Sequence, residues 1–260
     1  METAPSPEHS ELFCSQDADL TISSSDGVVF KVHRLNLGFH SDVFPGIEPG
    51  VPVQDEIVPL AEKASTLELL FQFVYRQRQP DLSKVDVDEL ALLAEAAEKY
   101  SIYSAMEVCK LNMRAAIPKI PLKVLAYAAR HGYKELCDEA APYTVDEDAA
   151  LVAEHLDAQL FANWVLYREH WLRRLFEVQR GIPSSILHED FEEDECPAWP
   201  PFVAAVLQDL NRSISGVQGI SAVFDKHFPL LEDCEWCYRR AGDWLHRSSV
   251  IQWGMPSFGH

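Results

Sequence analysis

Asp17-Ala18-Asp19-Leu20-Thr21-Ile22, a turn at Asp26-Gly27, then Val28-Val29-Phe30-Lys31-Val32-His33-Arg34-Leu35 and Ser41-Asp42-Val43-Phe44 decide how this chain folds. Leu20 and Ile22 alternate with Thr21 and Ser23, which predicts a half-buried strand. Asp26-Gly27 supplies the turn of a tight hairpin, where the backbone needs a positive φ that Gly adopts without steric penalty. Val28, Phe30 and Val32 are apolar on alternate positions around Val29 and Lys31, so a second strand follows at once. His33-Arg34-Leu35 leads into a short apolar helix carrying Leu37, Phe39 and Phe44.

Outward from this core, residues 1–14 read as a flexible tail with too little apolar surface to offset the entropy of ordering. Pro45 to Pro52 holds two Gly and three Pro and reads as a loop. Ile57-Val58-Pro59-Leu60 fits a third strand, confined by Pro59 to a sheet edge or a strand end. Ser65-Thr66-Leu67-Glu68 has capping-box spacing and opens a helix whose Leu67, Leu70, Phe71 and Val74 share one face. Asp86-Val87-Asp88-Glu89 repeats that spacing before a helix striped by Leu90, Leu93, Ala94, Ala97 and Tyr100.

The order D-x-x-L-T-I, turn, V-x-F-K-V-H-R-x-x-L, S-x-V-F closely resembles the opening of a BTB/POZ domain. Phe73-Val74-Tyr75 is similar to the aromatic end of a helix in that family, although Tyr75-Arg76-Gln77 stands where Tyr-Thr-Gly often follows. Lys99-Tyr100, Met106-Glu107-Val108-Cys109 and Leu111 resemble the family's A-x-K-Y…C-x-x-x-L close. The residues on their own leave open an ordinary hairpin in an unrelated α+β domain. The resemblance implies an α+β fold, a small β-sheet covered by helices over residues 15–117, followed by an all-α region. Cys109 reads as a small buried hydrophobe at helical spacing.

Residues 118–180 look all-helical, with Val124, Leu125, Ala128 and Ala129 on one stripe and Gly132 placed to end it in a left-handed C-cap. Helix pairs after a BTB/POZ domain resemble the BACK-type extension of many relatives. Residues 181–201 read as an acidic, Pro-containing linker, with a docking strip for a basic partner as the alternative. Residues 202–260 look helical again, with Val203, Val206, Leu207 and Leu210 on one face.

Composition limits the function classes. A formal net charge of -19 disfavours nucleic acid, because phosphate binding relies on Lys and Arg releasing counterions, and it disfavours anionic membranes. The opening Met1-Glu2-Thr3-Ala4-Pro5 lacks the apolar core of a targeting segment, and no stretch reaches the roughly 20 apolar residues that span a bilayer. Six scattered cysteines do not make a disulfide framework. The expected setting is therefore intracellular, in cytoplasm or nucleus.

No phosphate-binding glycine loop, nucleophile elbow or H-E-x-x-H is present, so no catalytic residue or cofactor is assigned and the chain is not expected to be an enzyme. Cys234-Glu235-Trp236-Cys237 is a C-x-x-C whose default reading is two semi-buried thiols. Were structural zinc bound there instead, Cys196, His227 and His246 are the nearest further ligands; a redox pair is the other alternative. His33 reads as a corner residue held by hydrogen bonds, paired with Asp19 near the surface that BTB/POZ domains use for self-association.

The resemblance implies a protein-interaction adaptor or scaffold, with a homodimer, a BTB heterodimer or a cullin scaffold of a ubiquitin ligase as partner. Asp19, His33, Leu35, Leu37, Phe39 and Phe44 are the interface candidates. Cullin recruitment in relatives often uses a hydrophobic-x-Glu motif after the S-x-V-F helix. Here Gly46 and Gln54 precede Glu48 and Glu56, which does not fit. A zinc-stabilised C-terminal module and an unrecognised enzyme are the readings from other classes.

Overall fold

The computed structural model describes residues 8–44, 57–183, 196–250 and 258. Two compact units divide the chain, residues 1–136 and 137–260. The first holds a four-stranded sheet in the order β1-β3-β2-β4, formed by β1 (His9–Cys14), β2 (Leu20–Ser23), β3 (Val29–Val32) and β4 (Ile57–Pro59). β2 and β3 are the antiparallel hairpin expected, with Leu20 opposite Val32 and Ile22 opposite Phe30. Gly27 has φ 89°, and the amide of Gly27 donates to the carbonyl of Ser24. The loop of residues 25–27 is thus a turn closed by a left-handed glycine.

Residues 9–14 correct the expected tail. β1 pairs in parallel with β3, and its register shifts between His9 and Cys14, so Ser10 and Phe13 are the residues turned inward. Phe13 packs against Phe71 at 5.7 Å and Phe30 at 6.3 Å, while the Ser10 hydroxyl donates to Glu68 Oε1 at 2.9 Å. The buried aromatic, the satisfied hydroxyl and the ladder to β3 act together against the entropy of ordering these six residues. β4 lies at the opposite edge with Pro59 at its end, where the missing amide costs no ladder bond.

Helices α1 (Arg34–His40), α2 (Ala64–Gln72), α3 (Val87–Lys99), α4 (Tyr103–Ala116) and α5 (Pro121–Arg130) complete this unit. Leu67, Leu70, Phe71 and Val74 are buried as their spacing predicts. The capping box at Ser65 does not form: α2 begins two residues earlier, with Lys63 as its N-cap, and the amide of Ala64 donates instead to Asp26 Oδ1 of the hairpin turn. Asp86 does cap α3, accepting the amide of Asp88. Its partner Glu89 serves elsewhere, accepting from Thr66 Oγ1 at 2.6 Å and Ser65 Oγ at 3.1 Å. Side-chain bonds between neighbouring helices displaced the local ones.

Gly132 has φ 73° just beyond α5, and the amide of Tyr133 donates back to the carbonyl of Ala128 at 2.8 Å, the left-handed cap expected. α6 (Lys134–Ala140) contains the division point.

The second unit is helical: α7 (Ala149–His155), α8 (Ala158–Arg180), α9 (Trp199–Leu210), α10 (Ile220–His227) and α11 (Glu235–Val250). Its core is aromatic, with Trp164, Trp171, Phe202, Phe224 and Trp244 buried. Two of these buried indoles find acceptors: Trp164 Nε1 donates to Thr144 Oγ1 and Trp244 Nε1 to the carbonyl of Val178, whereas Trp171 Nε1 has no partner among the described residues. Most of the expected linker, residues 184–195, lies outside the described residues. Its last three do not belong to a linker, because Trp199, Pro200 and Pro201 begin α9, where proline's missing amide is an orphan in any case. The buried stripe of α9 is Trp199, Phe202, Val206 and Leu210, rotated from the expected one: Val203 and Leu207 are only half-buried. Among the described residues no helix is long and apolar enough to cross a membrane.

Candidate functional site

α1 has no side-chain cap from His33 at its N-cap position, so Asp19, just before β2, fills the role. The amide of Arg34 donates to Asp19 Oδ1 at 2.8 Å, and Arg34 Nε reaches the Asp19 carbonyl at 3.4 Å. The expected Asp19–His33 pair is therefore not the one formed. His33 bonds instead to Tyr75, whose hydroxyl accepts the His33 amide at 3.0 Å and lies 2.9 Å from Nδ1. Its Nε2 faces Asp17 at 3.4 Å. Burial, the largest influence, raises the Tyr75 phenol above its ordinary pKa. His33 is a corner residue, as its sequence position predicted.

Helical spacing sorts the apolar candidates by face. Leu37 is fully buried and belongs to the core, which removes it from the exposed surface. Leu35 and Phe39, four residues apart on one side of α1, are 53% and 77% exposed. Val43 follows just beyond the helix and Leu12 stands on β1, 51% and 65% exposed. Phe44 is half-buried and stacks on Tyr100 with ring centroids 4.9 Å apart. A shallow groove lined by Leu12, Phe13, Lys31, His33, Asn36 and Tyr75 connects β1 to the start of α1.

Leu12 and Val43 escaped the sequence reading. The β1 bulge disguises the alternation that would have marked Leu12 as outward-facing. Val43 sits in the quoted S-x-V-F and could have been singled out there. Gly46, Glu48, Gln54 and Glu56, the residues bearing on a cullin motif, lie outside the described residues.

Among the ligand candidates the structure separates the cysteines from the histidines. The sulfur atoms of Cys196, Cys234 and Cys237 all lie within 4.8 Å of one another. His227 Nε2 is instead 2.8 Å from Asp209 Oδ2, and His246 is exposed on α11. All six cysteines are described and none is in a disulfide. Burial would raise the Cys196 thiol, but amides of the α9 start and the neighbouring thiols outweigh it and lower its pKa. Burial and the same thiol contacts push Cys237 up to about 12. In the first unit, Cys109 is pushed up to about 12 by burial and then by Glu98, which suits a packing residue.

The polar groups beside the sheet are paired structurally. Glu62 accepts from Lys99 Nζ at 2.7 Å and from Tyr100 Oη at 2.6 Å. Burial opposes ionisation there, yet those donors hold the carboxyl below its ordinary range.

Comparison with known families finds that residues 10–116 match the model of the BTB/POZ domain. No curated protein matches the chain. The chain thus carries a BTB/POZ domain, a protein-interaction module, and a helical extension follows it.

Proposed function

With a BTB/POZ domain at residues 10–116 as the premise, we propose that this chain is an adaptor or scaffold that pairs with itself or with another BTB/POZ protein through the outer face of α1 and the adjoining β1. The observation that carries the reading is the exposure of Leu35 and Phe39 on one side of a helix whose other side, at Leu37, is core. An exposed aromatic flanked by aliphatic residues suits the centre of an interface, where a few large side chains supply most of the binding energy. A stable interface covers about 800 Å² per partner, and exposed Leu12 on β1 and Val43 just beyond α1 add apolar area toward that size. The polar rim comes from Asp19, His33 and Lys31, and the helical remainder of the chain positions a client.

Light scattering on the full chain over a range of concentrations tests this. A dimer mass that falls to the monomer mass in Phe39→Glu and Leu35→Glu, with unchanged circular dichroism, is expected. A monomer at every concentration, together with failure to capture any BTB/POZ partner, overturns the proposal. A cullin scaffold in the same assay tests whether the adaptor serves a ubiquitin ligase.

A further inference from the structure

The three converging sulfurs lie in the second unit, and the interaction module makes no use of them. We propose that Cys196, Cys234 and Cys237 bind a thiophilic divalent cation, zinc in the cell, which clips the segment before α9 to the start of α11. In a tetrahedral zinc–thiolate site, with Zn–S about 2.3 Å, sulfurs stand about 3.8 Å apart. These three already lie within 4.8 Å of each other, so rotation of side chains suffices to close on an ion.

The backbone favours negative charge at this point. Cys234 precedes α11 and Cys237 lies in its first turn, where the amide of Cys237 donates to Cys234 Sγ at 3.4 Å. Cys196 precedes α9, and its carbonyl accepts the amide of Trp199 at 3.1 Å. The sulfurs therefore sit at the starts of two long helices, where backbone amides face the negative charge of a metal–thiolate cluster.

A brace joins the two segments one turn further on. Trp199 and Arg240 each lie three residues after a cysteine, and the Arg240 guanidinium stacks 4.1 Å above the Trp199 ring. Arg240 Nε is buried and has no hydrogen-bond partner among the described residues. Three thiolates around a divalent ion would leave one net negative charge, and the Arg240 guanidinium, one helical turn beyond Cys237 on α11, would balance it.

A disulfide between Cys234 and Cys237 would leave Cys196 without a role. Apolar packing alone does not call for three thiols from two segments at helix starts. Cys196 and Cys237 are buried while Cys234 is half-buried, which gives an ion a way in. Each thiol releases its proton as its sulfur–metal bond forms. With three protein ligands, water completes the coordination.

Metal analysis of the full chain purified under reducing conditions, followed by cobalt titration of the zinc-stripped protein, tests the proposal. One zinc per chain is expected, with sulfur-to-cobalt charge-transfer absorption and intense visible bands that added zinc abolishes. Cys196→Ser, Cys234→Ser and Cys237→Ser should each weaken cobalt binding at least about tenfold, since even outer partners of a metal site contribute that much. Cys14→Ser, on exposed β1, should bind as the parent does. Should the serine variants fail to fold, the cobalt spectrum of the unaltered chain decides alone. Absent cobalt–thiolate bands, or a Cys234–Cys237 disulfide in the reduced preparation, overturns the proposal.

Discussion

The hydroxyl of Tyr75 accepts the backbone amide of His33 at 3.0 Å and lies 2.9 Å from the same residue's Nδ1. One side chain, at the end of the segment after α2, thus fixes both the backbone and the ring of the residue that starts α1. With its proton donated to Nδ1, the phenol holds the imidazole in the tautomer whose Nε2–H points toward Asp17. Phe13 closes the site, its ring 5.5 Å from that of Tyr75. Tyr75→Phe keeps the packing and removes the acceptor from a partly buried amide. Urea unfolding should register a loss of about 1–3 kcal/mol. An unchanged midpoint would show that water replaces the phenol at no cost.

Leu37 and Phe39 make an internal comparison on one helix. Leu37 is fully buried, so Leu37→Ala opens a cavity and should cost about 2–5 kcal/mol in denaturant unfolding. Phe39 projects outward, so Phe39→Ala should leave monomer stability within about 0.5 kcal/mol. Its effect belongs to association, seen in the concentration dependence of mass. Equal destabilisation by the two changes would remove Phe39 from the interface argument.

Much of the first unit was legible because its signals are local and periodic. Ile22, Phe30, Leu67 and Phe71 lie where alternation and helical spacing put them, and Gly132 has the backbone sign its position demands. Failures occurred where a distant group replaced a local one. Asp26 caps α2 in place of the Ser65 box, and Asp19 caps α1 in place of pairing with His33. β1 was hidden because its bulge turns Ser10 and Phe13 inward, three residues apart. The histidines looked like ligands beside the C-x-x-C, yet spacing cannot tell that Asp209 claims His227. Convergence of Cys196 on that motif is a tertiary fact, carried by the packing of α9 and α11.

Gly132 gives a test of backbone strain with little else involved. Its φ of 73° suits glycine, and a Cβ added there would meet nothing within 4 Å. Gly132→Ala should therefore cost about 1–2 kcal/mol from the left-handed conformation alone, with no clash to relieve. The thermal midpoint should fall while the circular dichroism stays unchanged. A neutral result would mean that the cap after α5 relaxes to another conformation.

Asp209 makes acid stability of the second unit measurable. Lys226 Nζ at 2.6 Å, His227 Nε2 at 2.8 Å and Arg212 at 3.2 Å surround its carboxylate, and the Lys226 and His227 bonds hold its pKa down at about 2. A carboxyl depressed on folding binds fewer protons than in the unfolded chain, where its pKa is about 3.9. Its stabilising contribution is thus complete above the unfolded value and disappears as pH falls through about 2. Melts followed by tryptophan fluorescence should show Asp209→Asn less stable than the parent by a constant margin above about pH 5, the gap closing toward pH 2. Cobalt binding at the three cysteines should survive the same substitution, because His227 answers to Asp209 and not to the sulfurs. A gap that persists unchanged to pH 2 would show that the carboxylate's charge adds nothing to the fold.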